Sequence, residues 1–563
     1  MSSSVFRLLS HRLTKWPDID YRLVLVALAF YVLAAFNWTL LRHFYAILGE
    51  LDAYDPVFAA TGPLVVFLGL MVVFMPFSFR PVLKPFFVFL ILTSSLVTYG
   101  MIRYGIIFDR EMIRNFSETS AVEAFSYATP MSVLWLVLTG IAPSILLMFL
   151  PVRYPASFYR GIGQRIVILA VALLCIGIIA SGYFKDYASV GRNNKLLGKE
   201  IVPVNYFTGA IRYAKSLYRE KSIPFQTIAE DARIVPPVSG NGKPTLMFLL
   251  IGETARAASV AANGYDRATT PFTRQLSNVI AFQDVRSCGT ATAVSVPCMF
   301  SPMDRANYDE TIARNSENLM DVVARAGASV LWKENDGGCK GVCDRIPSTT
   351  IAPEKFPDFC NDGTCFDEVM LQNIDDEIAN LAVGDKLIAM HLIGSHGPTY
   401  YRRYPDSFRH FMPDCPRSDI ENCTEQELVN TYDNTIRYTD FVIAQLIAKL
   451  EHYTDRYNPV LLYVSDHGES LGESGLYLHG APYLFAPDEQ TRVPMMVWIP
   501  DDFVNQRRLD GNCITKIAAQ NSYSHDNLFS TVLGLMQVET ALYNPGTDIF
   551  APCASGTGNR MQP

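Results

Sequence analysis

The sequence predicts an α/β fold carried by an N-terminal five-helix transmembrane domain. Three observations predict it. Five long, nearly uncharged apolar stretches crowd the first third, short apolar runs beyond residue 240 end in polar residues, and ten of the eleven cysteines follow the last long stretch. A chain of 563 residues has room for two or three folding units. The boundaries expected are a transmembrane domain over 1–184, a linker with amphipathic helices over 185–238, and an outer domain over 239–563.

The five stretches cover residues 21–41, 57–79, 85–102, 130–150 and 166–183. Each is long enough to cross a bilayer. A central Lys or Arg would cost roughly 3 kcal/mol on insertion, about what six leucines recover, so nearly charge-free interiors separate spans from ordinary core helices. The first stretch is too long for the apolar region of a secretory signal and lacks a small-residue cleavage site, so it reads as a retained anchor. Arg7, Arg12 and Lys15 precede the first span; Arg80 and Lys84 lie in the second connection, and Arg153, Arg160 and Arg165 in the fourth. Positive charge marks these segments as cytoplasmic. An odd number of spans then puts everything after about residue 184 on the opposite side of the membrane.

Cysteine usage agrees. Cys175 lies in a span, while the ten outer cysteines are an even set suited to an oxidising compartment. Pairing by proximity joins Cys288 with Cys298, Cys339 with Cys343, Cys360 with Cys365, Cys415 with Cys423, and Cys513 with Cys553; a cysteine-zinc site is the alternative. The chain is 49% hydrophobic with a net charge of -8 and a mean hydropathy of +0.15. That balance argues against a nucleic-acid binder, which needs a broad basic face.

Residues 185–238 are polar and punctuated by Asn193-Asn194, Pro203, Pro224 and Pro236-Pro237, the pattern of a linker at the membrane surface. Beyond it, residues 246–251 form a short, wholly apolar run ending in Gly252-Glu253, as expected of a strand buried on both faces of a parallel sheet. Residues 387–393 end in Gly394-Ser395-His396, and 460–464 end in Ser465-Asp466-His467. Ligands of open α/β sheets bind at the carboxyl ends of the strands, so the three runs would gather Glu253, His396 and the Asp466-His467 pair in one crevice.

With His479, these residues form an oxygen and imidazole set suited to zinc. Taken singly each is weak evidence, since a lone histidine is more often a structural hydrogen-bonding residue. Thr292, in Ser287-Cys288-Gly289-Thr290-Ala291-Thr292-Ala293, adds a hydroxyl that a divalent cation would convert into a nucleophile. On composition alone, such a loop is commonly a turn or a helix cap. A helix starting near Thr292 would meet Pro297 beyond its first turn, and a bend is expected there.

Several motifs in order, Ile251-Gly252-Glu253-Thr254-Ala255-Arg256, Gly264-Tyr265-Asp266-Arg267 with Thr269-Thr270-Pro271, the SCGTATAVSVPCMF segment of 287–300, the SDHGES segment of 465–470, and Leu478-His479-Gly480, resemble the lipid A phosphoethanolamine transferases, including the mobile colistin-resistance enzymes. The resemblance covers nearly the whole chain. It implies five spans ahead of a periplasmic, alkaline-phosphatase/sulfatase-like α/β/α catalytic domain in a bacterial inner membrane. It implies Zn2+ bound by Glu253, Thr292, Asp466 and His467, with Thr292 the covalent nucleophile. His396 and His479 would bind a second metal or the substrate, and Lys340 the phosphate. Where the mobile resistance enzymes carry a serine nearby, this chain has Gly337. Asn115, Thr119 and Glu123, four residues apart and so on one helical face, would bind the ethanolamine head.

The function so implied is transfer of phosphoethanolamine from phosphatidylethanolamine to lipid A phosphate by a monomer embedded in the lipid bilayer, lowering surface negative charge and conferring polymyxin resistance. The alternatives within the enzyme class are transfer to a core sugar or other periplasmic glycan and, more remotely, glycerophosphate transfer. A transporter or sensor is disfavoured, because the spans lack the buried ionisable residues that mark a transport path.

Overall fold

The computed structural model describes residues 17–49, 54–119, 124, 127–235, 242–361 and 363–554. The chain divides into two compact units, one of residues 1–113 and 128–211, the other of 114–127 and 212–563.

In the first unit, α1 (Tyr21–Phe36) and α2 (Trp38–Gly49) meet at a 65° bend, and together they make one candidate span. The expected unbroken first span is therefore interrupted. The cause is Asn37, which is buried: its Nδ2 donates to the carbonyls of Val32 and Val202 at 3.0 and 2.9 Å, and its Oδ1 accepts the Val202 N–H at 3.0 Å. α3 (Pro56–Phe74) starts on the Asp55 carboxylate, which accepts the Val57 N–H at 2.8 Å, with Pro56 in the first turn where its missing donor is harmless. α4 (Leu83–Tyr104) stops at Gly105, whose φ of 70° suits only a residue tolerant of the left-handed region. The helix α5 (Arg110–Glu118) follows; then come α6 (Pro130–Phe149), which contains a π-helical turn over Leu136–Ile141, and α7 (Phe158–Gly182). Four helices, or five spans with the bent pair, are long and apolar enough to cross a membrane among the described residues. Arg165, near the start of α7, is buried but satisfied: its guanidinium donates to Ser78 Oγ and O, both at 2.8 Å, and to the Gly161 carbonyl at 3.0 Å.

The expected linker is divided differently. α8 (Phe184–Asn193) and the start of α9 (Val204–Ser222) belong to the membrane unit rather than to a separate segment. The reason is apolar packing: Tyr187, Val190 and Leu197 pack on Phe44 and Phe58, and Val202 and Tyr206 join the core formed by α1, α3 and α4.

The second unit is built on a seven-stranded sheet. In chain order its strands are β1 (Thr245–Gly252), β2 (Val279–Phe282), β3 (Ser329–Glu334), β4 (Ser348–Thr350), β5 (Lys386–His391), β6 (Asn458–Ser465) and β7 (Met495–Trp498). They lie in the order β2, β7, β6, β1, β5, β3, β4, and β7 runs antiparallel to both its neighbours. Alternate residues of β1 enter opposite cores. Met247, Leu249 and Ile251 pack on one side, while Leu246, Phe248 and Leu250 pack on the other against the helix α10 (Glu425–Glu451) and its neighbours. That two-sided burial is why the run carries no polar residue, and each large side chain contributes about 1.5–3 kcal/mol. The ten outer cysteines form five disulfides, 288–298, 339–343, 360–365, 415–423 and 513–553, which leaves Cys339 and Cys343 no thiolates for a metal.

Candidate active site

Neighbouring parallel strands aim their carboxyl ends at one point. The register pairs Ile251 with Val464 and with His391, and Gly252 with Ser465, so Glu253 and Asp466 emerge side by side. Gly252 permits the close approach, because a Cβ there would fall on the Tyr463 ring. Glu253, Asp466 and His467 are completely buried.

Thr292 arrives from a different element. It opens a short helix over Thr292–Met299, capped by the extended Ala291. Its hydroxyl oxygen lies 3.2 and 3.1 Å from the two Glu253 carboxylate oxygens and 3.3 Å from His467 Nε2. First-turn N–H groups lack intrahelical acceptors and carry the positive end of the dipole, so this position favours developing negative charge. The helix continues through Pro297. The Ala293 carbonyl, which Pro297 cannot serve, faces Arg314 Nη2 at 3.5 Å.

The donor set fits a divalent cation. Asp466 Oδ1 accepts the N–H groups of Thr254 and His467 at 3.2 and 2.7 Å, whereas its Oδ2 is buried without a hydrogen-bond partner. His467 Nδ1 faces the Gly468 carbonyl at 3.0 Å, so it carries the proton and Nε2 presents a lone pair. That nitrogen lies 3.3 Å from Asp466 Oδ2 and 3.5 Å from Glu253 Oε1. Lone pairs gathered in a dry site repel one another unless a cation lies among them. Burial, reinforced by the Asp466 charge, pushes the Glu253 carboxyl well above its usual range, and burial brings His467 down to about 4.

Two further imidazoles flank this centre. The His479 ring centroid is 4.5 Å from that of His467 and 5.7 Å from that of His396. The loop carrying His479 is held to the Thr292 segment by Gly480 N–H donating to the Thr290 carbonyl at 2.7 Å and Thr290 Oγ1 donating to the Ala481 carbonyl at 2.6 Å. His479 Nδ1 faces Glu469 Oε2 at 2.9 Å, and the other Glu469 oxygen accepts the Tyr400 hydroxyl. His396 is nearly buried; burial, with Arg403 close by, keeps its pKa well below that of a free imidazole. Lys340 sits at φ 51° in the Cys339–Cys343 loop, and its charge acts on Glu253 and Asp336.

Asn115 lies half-buried on α5, and Thr119 follows its end, with its hydroxyl donating to the Asn115 carbonyl at 2.7 Å. Glu123 lies outside the described residues. The neighbouring Glu118 accepts from Arg314 at 3.1 Å, and Arg314 also faces the Ala293 carbonyl beside Thr292.

Sequence reasoning did not single out Glu469, His391, Glu334, Asp336 or His525. Glu469 lies inside the 465–470 motif, three residues beyond Asp466, and His391 interrupts the apolar run 387–393; both were visible signals. Glu334 ends and Asp336 follows a strand whose end carries no motif, and His525 reaches its place only through tertiary packing.

Comparison with known proteins extends over nearly the whole chain. The family described as phosphoethanolamine transferase EptA/EptB matches residues 66–218, and the sulfatase family matches residues 245–538. The chain is 40% identical to phosphoethanolamine transferase EptA of Escherichia coli K12, over 96% of this chain and 98% of the relative. It is 36% identical to phosphatidylethanolamine transferase Mcr-1 of Escherichia coli, over 82% of this chain and 85% of that one. The solved structure of the integral membrane protein lipooligosaccharide phosphoethanolamine transferase A of Neisseria meningitidis superposes with a TM-score of 0.91 at 39% identity, covering 96% of this chain and 100% of that chain. An oxygen- and imidazole-lined centre on a sulfatase-like sheet, joined to membrane-spanning helices and matched along nearly its full length, places this chain in the EptA/EptB family of phosphoethanolamine transferases.

Proposed function

We propose that the chain transfers phosphoethanolamine from phosphatidylethanolamine to a lipid A phosphate at the periplasmic face of a bacterial inner membrane, by way of a phosphoethanolamine-threonine intermediate. The observation that carries this reading is the Thr292 hydroxyl, within 3.3 Å of both Glu253 oxygens and His467 Nε2. Glu253, Thr292, Asp466 and His467 would hold a zinc ion, which supplies Lewis-acid activation of the hydroxyl and neutralises charge on the transferring phosphoryl group.

The Thr292 hydroxyl gives up its proton to the acceptors around it, its oxygen attacks phosphorus, the bond to the diacylglycerol oxygen breaks, and the leaving oxygen takes up the proton that Thr292 lost. His396 and His479 flank the centre on the side of the phosphoryl oxygens, with Lys340 balancing their charge. An acceptor phosphate oxygen then attacks the same phosphorus and releases Thr292. Asn115, Thr119 and Glu123 would bind the ethanolamine head, the Glu123 carboxylate meeting the ammonium.

Donor and acceptor are both lipids of one leaflet, which accounts for a catalytic unit tethered to spans. Each addition places an ammonium on lipid A, weakens the attraction of cationic peptides and so confers polymyxin resistance. Mass spectrometry of the purified chain after incubation with phosphatidylethanolamine tests the donor and nucleophile. An adduct on Thr292 that is lost in Thr292→Ala supports the reading, and no adduct on zinc-loaded, folded protein rejects the covalent step. An added phosphoethanolamine mass on lipid A, rather than on a core sugar, tests the acceptor.

A further inference from the structure

β3 and β5 end beside each other, and their register sets Glu334 directly opposite His391. Glu334 Oε2 accepts Trp332 Nε1–H at 2.8 Å, and Oε1 accepts the Asp336 N–H at 2.7 Å. His391 Nδ1 lies 3.2 Å from the same carboxylate, which fixes a proton on that nitrogen and turns Nε2 the other way. The Trp332 ring packs edge-on against the imidazole, with centroids 5.9 Å apart, and locks its plane. His391 is completely buried, and its Nε2 has no hydrogen-bond partner. That atom is aimed at two carboxylates, Glu253 Oε2 and Asp336 Oδ2, each 3.8 Å away. One donor atom from each of the three residues lies within 4.8 Å of the others.

We infer that Glu253, Asp336 and His391 form a second divalent-cation site, of zinc or manganese class, which shares the Glu253 carboxylate with the Thr292 centre. The separations are too long for hydrogen bonds. They are close to the spacing of about 3.4 Å between ligand atoms on a tetrahedral ion with bonds of about 2.1 Å. One imidazole with two carboxylates suits zinc or manganese rather than a softer metal. Glu334 holding the far nitrogen of His391 is the carboxylate–histidine arrangement that orients metal-bound imidazoles.

Charge supports the same assignment. Glu253, Glu334, Asp336 and Asp466 meet at these strand ends, and the cationic groups acting on them are Lys340, which reaches Glu253 and Asp336, and the His391 imidazole, which reaches Asp336. A divalent ion on His391 Nε2 would answer the same carboxylates and fix the Glu253 orientation on which the first centre depends. This site is distinct from the His396 and His479 pair, which approaches the first centre through His467.

The inference builds on the cation reading of the Thr292 centre, and the experiment separates the two. Full-length protein in detergent is stripped with chelator, reloaded with zinc, desalted and crystallised, and anomalous scattering is recorded at the zinc edge. The expected result is a peak about 2.0–2.2 Å from His391 Nε2, in addition to one beside Thr292. Zinc per chain should fall by one in His391→Gln and in the nearly isosteric Asp336→Asn, with the peak beside Thr292 retained. A peak beside Thr292 alone, or variants that bind as much zinc as the native chain, overturns this site and leaves the first intact. Absence of both peaks overturns both readings.

Discussion

Thr292 Oγ1 lies 3.3 Å from Nε2 of His467, the ring nitrogen left with a lone pair because Nδ1 faces the Gly468 carbonyl. The hydroxyl therefore stands among acceptors only, where its proton has somewhere to go and its oxygen is not tied up as an acceptor of a strong donor. Thr292→Val keeps the branched shape and removes the oxygen; transfer should drop by at least about three orders of magnitude, as for other lost nucleophiles. Thr292→Ser keeps the oxygen on a freer side chain and should retain measurable transfer. Comparing phosphoethanolamine transfer at matched melting temperature checks both, and a Val variant with more than about a tenth of native activity would rule out the nucleophile assignment.

Removing the cation should loosen the outer unit. Asp466 Oδ2 is buried without a hydrogen-bond partner and faces the lone pair of His467 Nε2 at 3.3 Å, so chelation leaves their repulsion uncompensated. Zinc at a hundred times its dissociation constant should return about 2.7 kcal/mol of stability, read as a rise in melting temperature. Asp466→Asn should lose most of that zinc-dependent rise. An identical melting curve with chelator and with zinc would show that the cluster holds no cation.

Much of this site was legible from residues alone, for a physical reason. A strand buried on both faces must be apolar until it ends, so 246–251 and 460–464 announced where Glu253, Asp466 and His467 would emerge. The break at Asn37 was hidden, because a single amide inside an apolar stretch becomes a bend only when the distant Val202 backbone meets it. The packing within 185–238 was hidden for a related reason. Its polar composition concealed Tyr187, Val190 and Leu197, spaced so that they pack on Phe44 and Phe58.

Gly394 should tolerate no side chain. A Cβ there would stand 2.6 Å from the Glu253 carbonyl oxygen and 2.9 Å from its nitrogen, at a φ of +48°. Gly394→Ala must displace either its own loop or the Glu253 backbone, and overpacking of this kind costs about 1–3 kcal/mol. Transfer should fall more than stability does, because the strained contact is on the residue that aligns Thr292. Gly511 is the control: it opens the helix Gly511–Gln520, and a Cβ there meets nothing within 4 Å. Gly511→Ala should leave transfer unchanged and stability equal or slightly higher. Equal activity of the two variants would remove the claimed role of the Gly394 approach.

His525 gives the outer unit a defined acid sensitivity. Its Nδ1 accepts the Cys288 N–H at 3.1 Å and its Nε2–H donates to the Ser465 carbonyl at 2.9 Å, so the fold requires the neutral ring. Burial holds its pKa down to about 4, from 6.5 for a free imidazole. The unfolded chain therefore binds the proton more readily than the folded one between those values. The stabilisation is fully present above pH 6.5 and is lost as pH falls toward 4, with an upper bound of about 3 kcal/mol for this residue. His525→Asn keeps an acceptor near the Nδ1 position but cannot titrate. Its stability at neutral pH should be lower, while its slope between pH 6.5 and 4 should be shallower than the native slope by up to one proton. Denaturant unfolding in zinc buffer at several pH values checks this, with the other buried histidines common to both proteins. Parallel slopes would mean that His525 takes up its proton without opposing the fold, and that the Cys288 N–H does not hold it neutral.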